Sequence, residues 1–200
     1  MLRGLGLAVI ALLASNVAWT GGGNAGSLAD ASMKGDVDAL RAMIRAGADV
    51  NEPGAFGTPA LHWRVRVDDV AGAKLLLEAG AAPDAKTERG VTPLSLAVEN
   101  GNAALVTLLL KAGADARQSL PTGETVLMRA ADVGVLAVVQ ALLKHGAVVD
   151  ARDPAYGQTA LMFASRAGHA DVVAALLARG ADVNLATTLG PTPPFIKPNS

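Results

Sequence analysis

The chain repeats itself, and the period decides what it can fold into. Glycines suited to closing a helix stand at Gly47, Gly80, Gly113, Gly146 and Gly180, at spacings of 33, 33, 33 and 34 residues. Threonines suited to capping a helix stand at Thr92, Thr125, Thr159 and Thr192, at spacings of 33, 34 and 33. The extra residue falls in the turn Asp153-Pro154-Ala155-Tyr156, where an insertion costs little closure entropy. A unit this short cannot bury its own apolar faces, so it must stack on copies of itself, and a fixed period of this size marks a solenoid.

The most regular unit, Gly157 to Asn184, reads as two short helices and two turns. Thr159 is placed as an N-cap whose hydroxyl accepts from the free N–H groups of the first helix. Leu161, Phe163 and Ala164 form that helix's apolar side, and Gly168 and His169 break it. Ala170 opens a second helix with apolar Val172, Val173, Ala175, Leu176 and Leu177. Gly180 closes it in the left-handed conformation that glycine tolerates, and Asp182 and Asn184 form the next turn.

The motifs that recur in this register are Gly90-Val91-Thr92-Pro93-Leu94-Ser95, Gly123-Glu124-Thr125-Val126-Leu127-Met128 and Gly157-Gln158-Thr159-Ala160-Leu161-Met162. The helix ends are Leu76-Leu77-Glu78-Ala79-Gly80-Ala81, Leu109-Leu110-Lys111-Ala112-Gly113-Ala114-Asp115, Leu142-Leu143-Lys144-His145-Gly146-Ala147 and Leu176-Leu177-Ala178-Arg179-Gly180-Ala181-Asp182-Val183-Asn184. With these residues the chain resembles an ankyrin-repeat protein from about Ser27 to Asn184. The resemblance implies an all-α solenoid of stacked helix-turn-helix units with hairpin-like turns. It also implies a protein partner, bound at the turn tips and the concave face of the first helices.

The expected division is a signal peptide and spacer at 1–25 and a repeat domain at 26–186. The repeats fall at about 26–53, 54–86, 87–119, 120–153 and 154–186, followed by a tail at 187–200. Apolar residues make up 51% of the chain, enough for a continuous core, while aromatics make up only 3%, so the core is built of Ala, Leu and Val. The formal net charge of −1 gives no electrostatic case for nucleic acid or anionic lipid. There is no cysteine, which removes disulfides and thiolate metal sites.

The N-terminus has the layout of a secretory signal: Arg3, an apolar run from Leu5 to Ala14, small residues, then Gly21-Gly22-Gly23. An uncleaved anchor is the alternative, but the run is short for a bilayer core of about 30 Å. Cleavage could follow Ala18 or Ala25, and with no cysteine after the run a lipid anchor is excluded. The alanine-rich style and short signal suggest a bacterial protein, periplasmic or secreted; the expectation is a monomer with no membrane insertion after cleavage.

Ser27 is expected to cap the first repeat's opening helix (Leu28, Ala31). Its second helix carries Val37, Leu40, Met43 and Ile44, and polar Asp30, Lys34, Asp38 and Arg41 suit the outer surface of a terminal repeat. In the third repeat Thr92 and Pro93 start a helix; Leu94, Leu96, Ala97, Leu105, Val106, Leu108 and Leu109 face the core. The fourth repeat has Val135 where the fifth has His169. At the far end Gly190, Thr192 and Pro193 restart the pattern, but Pro194 and Pro198 bar a helix. The tail then either improvises a cap, with Phe195 and Ile196 over the fifth repeat, or frays.

The second repeat departs most. Pro59 takes the place of the usual threonine, Trp63, Arg64 and Arg66 replace small apolar residues, and Asp68-Asp69 replaces the Gly-His break. One expectation is that Arg64 snorkels outward and pairs with Asp68, four residues on. The other is that Trp63, Arg64 and Arg66 form a binding spot, Trp and Arg being favoured anchors.

No convergent acid–base set appears. By the resemblance, His62 and His169 make structural hydrogen bonds, and His145 favours the negative end of a helix. No paired-histidine, paired-cysteine or Gly-x-Ser-x-Gly motif occurs, and Ser95 and Ser165 lie within first helices. The Gly21–Gly26 cluster lacks the lysine and strand of a phosphate loop. The expectation is a non-enzymatic module with no cofactor or metal site. A membrane-tethered adaptor and a stress-protection accessory with a small-molecule or enzymatic role are the alternatives. Carried onto matching positions, the partner-binding set is Phe56, Thr58, Trp63, Arg66, Arg89, Val91, Glu99, Asn100, Glu124, Asp132, Tyr156, Gln158 and Arg166, with Glu88 and Thr122 exposed beside it. Phe56 and Tyr156 are informative, since an aromatic at a turn tip gains nothing from the core unless it folds back over a neighbouring turn.

Overall fold

Ten short helices follow one another as five antiparallel pairs in a computed structural model that describes residues 27–188. The leader at 1–25, the Gly21–Gly26 cluster, Thr192 and the tail residues Phe195 and Ile196 lie outside the described residues. The pairs are α1 (Leu28–Lys34) with α2 (Val37–Arg45), α3 (Ala60–Arg66) with α4 (Val70–Glu78) and α5 (Pro93–Glu99) with α6 (Ala103–Lys111). They continue with α7 (Val126–Val133) and α8 (Leu136–Lys144), then α9 (Ala160–Ala167) and α10 (Ala170–Ala178).

Local chemistry sets most of the helix ends. Ser27 and Asp30 form a reciprocal capping box, with Ser27 N–H donating to Asp30 Oδ2 at 2.9 Å and Asp30 N–H donating to Ser27 Oγ at 3.1 Å. Thr92 and Thr125 cap α5 and α7, each accepting from the backbone three residues on. Asp36, Asp69 and Asn102 do the same for α2, α4 and α6. The expected cap at Thr159 is corrected: it holds the N-cap position of α9, but its side chain accepts nothing from the helix. Its backbone, φ −111° and ψ 166°, matches capped Thr92 at −109° and 159° and does not explain the difference. The five periodic glycines all adopt positive φ, between 82° and 101°, the conformation that closes each second helix at little cost.

First helices pack on first helices (α1 on α3, α3 on α5, α5 on α7, α7 on α9), and second on second from α4 to α10. Small buried residues, Ala60, Ala97, Ala130, Ala160 and Ala164, let the first helices approach closely, while Leu76, Leu105, Leu109, Leu142 and Leu176 fill the layer behind them. Three expected core positions are less buried. Leu96 and Leu108 are only half buried, the latter beside the fully buried Leu109. Leu177 is 42% exposed where its counterparts Leu110 and Leu143 are buried, since no helix pair follows α10 among the described residues. The turns are tied from one pair to the next. Asn51 Oδ1 accepts from Ala82 N–H at 2.8 Å, Asp84 Oδ1 from Asp115 N–H at 3.1 Å and Asp150 Oδ1 from Asp182 N–H at 3.1 Å.

Candidate functional site

The irregular second pair shapes a recess against the turn that follows it. A single turn of 3-10 helix, Ala55–Gly57, carries Phe56 at φ 70° and ψ 19°, a left-handed conformation that costs a non-glycine residue roughly 1–2 kcal/mol. Its ring is 80% exposed. Thr58 follows, its hydroxyl donating to Phe56 O at 3.2 Å. On α3, Trp63 is half buried and Arg66 is exposed.

The opposite wall is the next turn. Thr87 N–H donates to Val91 O at 3.0 Å and Gly90 N–H to Thr87 O at 2.8 Å, a tight turn that presents Glu88 and Arg89. His62, itself buried, locks this turn to α3 by donating from Nε2 to Val91 O at 3.0 Å; a carbonyl only accepts, so Nε2 carries the proton. Burial holds the His62 pKa below its ordinary value of 6.5, against weaker opposing pulls from the Val91 and Ala85 backbone. Its Nδ1 has no hydrogen-bond partner. Phe56, Trp63, Val91 and Leu96 of α5 give an apolar lining, with Arg66, Arg89 and Glu88 around it, to a groove of about 490 Å³. That is a size typical of ligand-binding clefts.

Six of the expected binding residues therefore meet in one place: Phe56, Thr58, Trp63, Arg66, Arg89 and Val91. The others do not join them. Asn100 is a structural tie, its amide donating to Asp68 Oδ1 at 3.0 Å and Val65 O at 3.2 Å, while Glu99 is exposed at the end of α5. Glu124, Asp132 and Arg166 belong to a chain of ion pairs: Arg129 Nη2 to Glu124 at 2.9 Å, Arg129 Nη1 to Asp132 at 3.9 Å, Arg166 to Asp132 at 3.0 Å. Arg166 also lies 4.6 Å from the centroid of the Phe163 ring. Tyr156, 57% exposed, and Gln158 sit on a separate turn built around buried Asp153, whose carboxylate accepts from the N–H groups of Ala155, Tyr156 and Gln158. Neither Phe56 nor Tyr156 folds back.

Arg64 requires a correction. It is 4% exposed and points inward, not out; its partners are Asp69, five residues on, through Nη1 at 3.2 Å, and Ser32 Oγ through Nε at 3.1 Å. Asp68 instead holds Asn100 and Asn102. Room for the guanidinium stem comes from Gly72 of α4, where a Cβ would lie 2.6 Å from Arg64 Cδ and 2.3 Å from Asp69 Oδ2. Arg64 thus leaves the binding spot to Trp63 and Arg66. Sequence reasoning missed His62, Thr87 and Leu96 as groove residues. His62 was legible only as a structural histidine, and Leu96 only as core. Gly72, standing where the other pairs carry a larger residue, was the available signal for Arg64.

A second recess of about 300 Å³ lies on the last pair, lined by Leu161, Met162, Val173, Leu177 and Leu185 among others. Among the described residues no group of His, Asp and Glu is arranged to hold a metal, and no helix is long and apolar enough to cross a membrane.

Paired antiparallel helices in a 33-residue register, with turns projecting beside the first helices, define a helical repeat solenoid. The family model described as "Ankyrin repeats (3 copies)" matches residues 28–119 and 97–187, and the chain belongs to the ankyrin-repeat family. Members generally mediate protein–protein interaction and are typically non-enzymatic. A search of the curated proteins returns no match.

Proposed function

We propose that this chain is a non-enzymatic protein-binding module of the bacterial periplasm, which binds and modulates a partner protein through the groove between its second and third helix pairs. The observation that carries the reading is Phe56. A large aromatic held 80% exposed in a left-handed conformation, at the lip of an apolar groove, has no packing role that would repay its strain. Export is supported by the signal-like layout of residues 1–25, and a partner other than nucleic acid by the formal net charge of −1. Tyr156, exposed on a separate turn tip, is a second candidate contact outside the groove.

Affinity capture from a periplasmic extract tests the reading, with the mature chain and a Phe56→Ala/Arg66→Ala/Tyr156→Ala variant of equal thermal stability as baits. A partner retained by the first and lost by the second supports it. A partner held equally by both moves the surface elsewhere, and capture only from the cytosol or membranes removes the periplasmic assignment.

A further inference from the structure

We infer that the groove is selective for an acidic peptide segment of the partner protein, one that sets a carboxylate side chain beside an aromatic or branched apolar one. This rests on the groove being the protein-binding surface. The charge argument comes from how the arginines are used. Arg64 is neutralised by Asp69, Arg129 by Glu124 and Asp132, and Arg166 by Asp132. Arg66 and Arg89 alone among the arginines of the groove and its flanking first helices have no carboxylate partner among the described residues, and both line the groove.

The contrast between two equivalent positions is direct. Arg166 reaches back to Asp132 of the preceding pair, whereas the residue in that relation to Arg66, one 33-residue repeat back, is Met33, an exposed side chain with no charge to offer. The single acid of the lining, Glu88, lies over Gly57, within 2.9 Å of where a Cβ would stand, so two cations face one anion. Arginine's planar fork suits bidentate capture of a carboxylate. Trp63, Val91 and Leu96 line the same groove and offer contact for an apolar side chain, to which exposed Phe56 adds an aromatic face. Two cations in a concave apolar cleft match a short peptide better than a polyanion, which needs an extended basic face.

The test selects ligands without presupposing them: a random dodecapeptide display library is panned on the full chain, and fluorescein-labelled winners are titrated by anisotropy. The expected winners carry Asp or Glu next to Phe, Tyr, Trp or Leu. They lose roughly tenfold or more in affinity against Arg66→Glu/Arg89→Glu and are unchanged against Arg179→Glu, a charge reversal at an exposed residue outside the groove. Each variant is first matched to the wild type by circular dichroism and urea midpoint. Neutral or basic winners whose binding falls with Phe56→Ala would overturn the acidic preference while leaving the groove as a protein-binding surface. No enrichment, or winners indifferent to both the charge reversal and Phe56→Ala, would overturn both readings.

Discussion

The second and fifth helix pairs occupy equivalent places in the repeat and solve the same packing problem in opposite ways. In the fifth, Ala164 of α9 faces Val172 of α10, both fully buried; the third and fourth pairs use Ala97 with Leu105 and Ala130 with Val138. In the second, the small residue and the large one change helices: Arg64 comes inward from α3, and Gly72 makes way for it on α4. The total volume is kept while its chemistry changes. The regular pair joins its neighbours by apolar packing and closes its surface charges on one another. The irregular pair spends a buried ion pair on its own interior and leaves Arg66 without a carboxylate beside an apolar groove. A solenoid can carry one such unit because each repeat is held mainly by its two neighbours.

The largest test of that comparison is to exchange the solutions. Gly72→Val drives side-chain atoms into Arg64 and Asp69, combining overpacking with disruption of a buried ion pair, and should cost about 4 kcal/mol or more. Arg64→Ala should cost about 3 kcal/mol, since it opens a void and leaves Asp69 with only its Gly72 N–H bond at 2.8 Å. The double variant recreates the Ala–Val arrangement of the fifth pair and should be more stable than either single one. Urea denaturation gives the double-mutant cycle, and additive losses would show that the two positions do not compensate.

In the regular half, Leu142→Ala should cost roughly 2–5 kcal/mol, with a distinctly smaller loss for half-buried Leu108→Ala. Equal losses would contradict the register described above. His62 sharpens the comparison through pH. Its pKa in the folded chain lies below the ordinary 6.5, so on acidification the unfolded chain takes up the proton first. The His62 contribution is fully present above about pH 6.5 and is lost as pH falls toward the folded value. Thermal melts at pH 7.5 and pH 5 should show a larger drop for the wild type than for His62→Gln.

Smaller effects follow at the surface. Phe56→Gly should raise stability by about 0.5–1 kcal/mol, by relieving the positive φ without losing core contacts, while weakening partner binding. Unchanged stability would mean that the unfolded-state entropy of glycine offsets the strain. At the other end of the scale, Asp132→Asn in the partly exposed ion-pair chain should cost under about 1 kcal/mol, and less in high salt.

The periodic glycines and the cap residues Ser27, Thr92 and Thr125 made the helix pairs readable in the sequence, because their requirements are local: a positive φ, or an oxygen placed before the first free N–H groups. The resemblance to ankyrin repeats, carried onto matching positions, pointed to a set of partner-facing residues, of which Phe56, Thr58, Arg66, Arg89 and Val91 meet in the groove with Trp63. What the period could not settle was direction. Whether Arg64 turned outward to Asp68 or inward to Asp69 depended on the space opened by Gly72 eight residues on and on the hydroxyl of Ser32 one repeat away. Whether Arg66 and Arg166, alike in sequence position, were charged surface or closed ion pair depended on what the preceding helix pair set beside them. Sequence by itself determined the solenoid, because helix length, caps and period are properties of neighbouring residues. Only the tertiary structure decided where its arginines are satisfied and where they are left open, because burial and charge pairing are settled between residues some thirty positions apart.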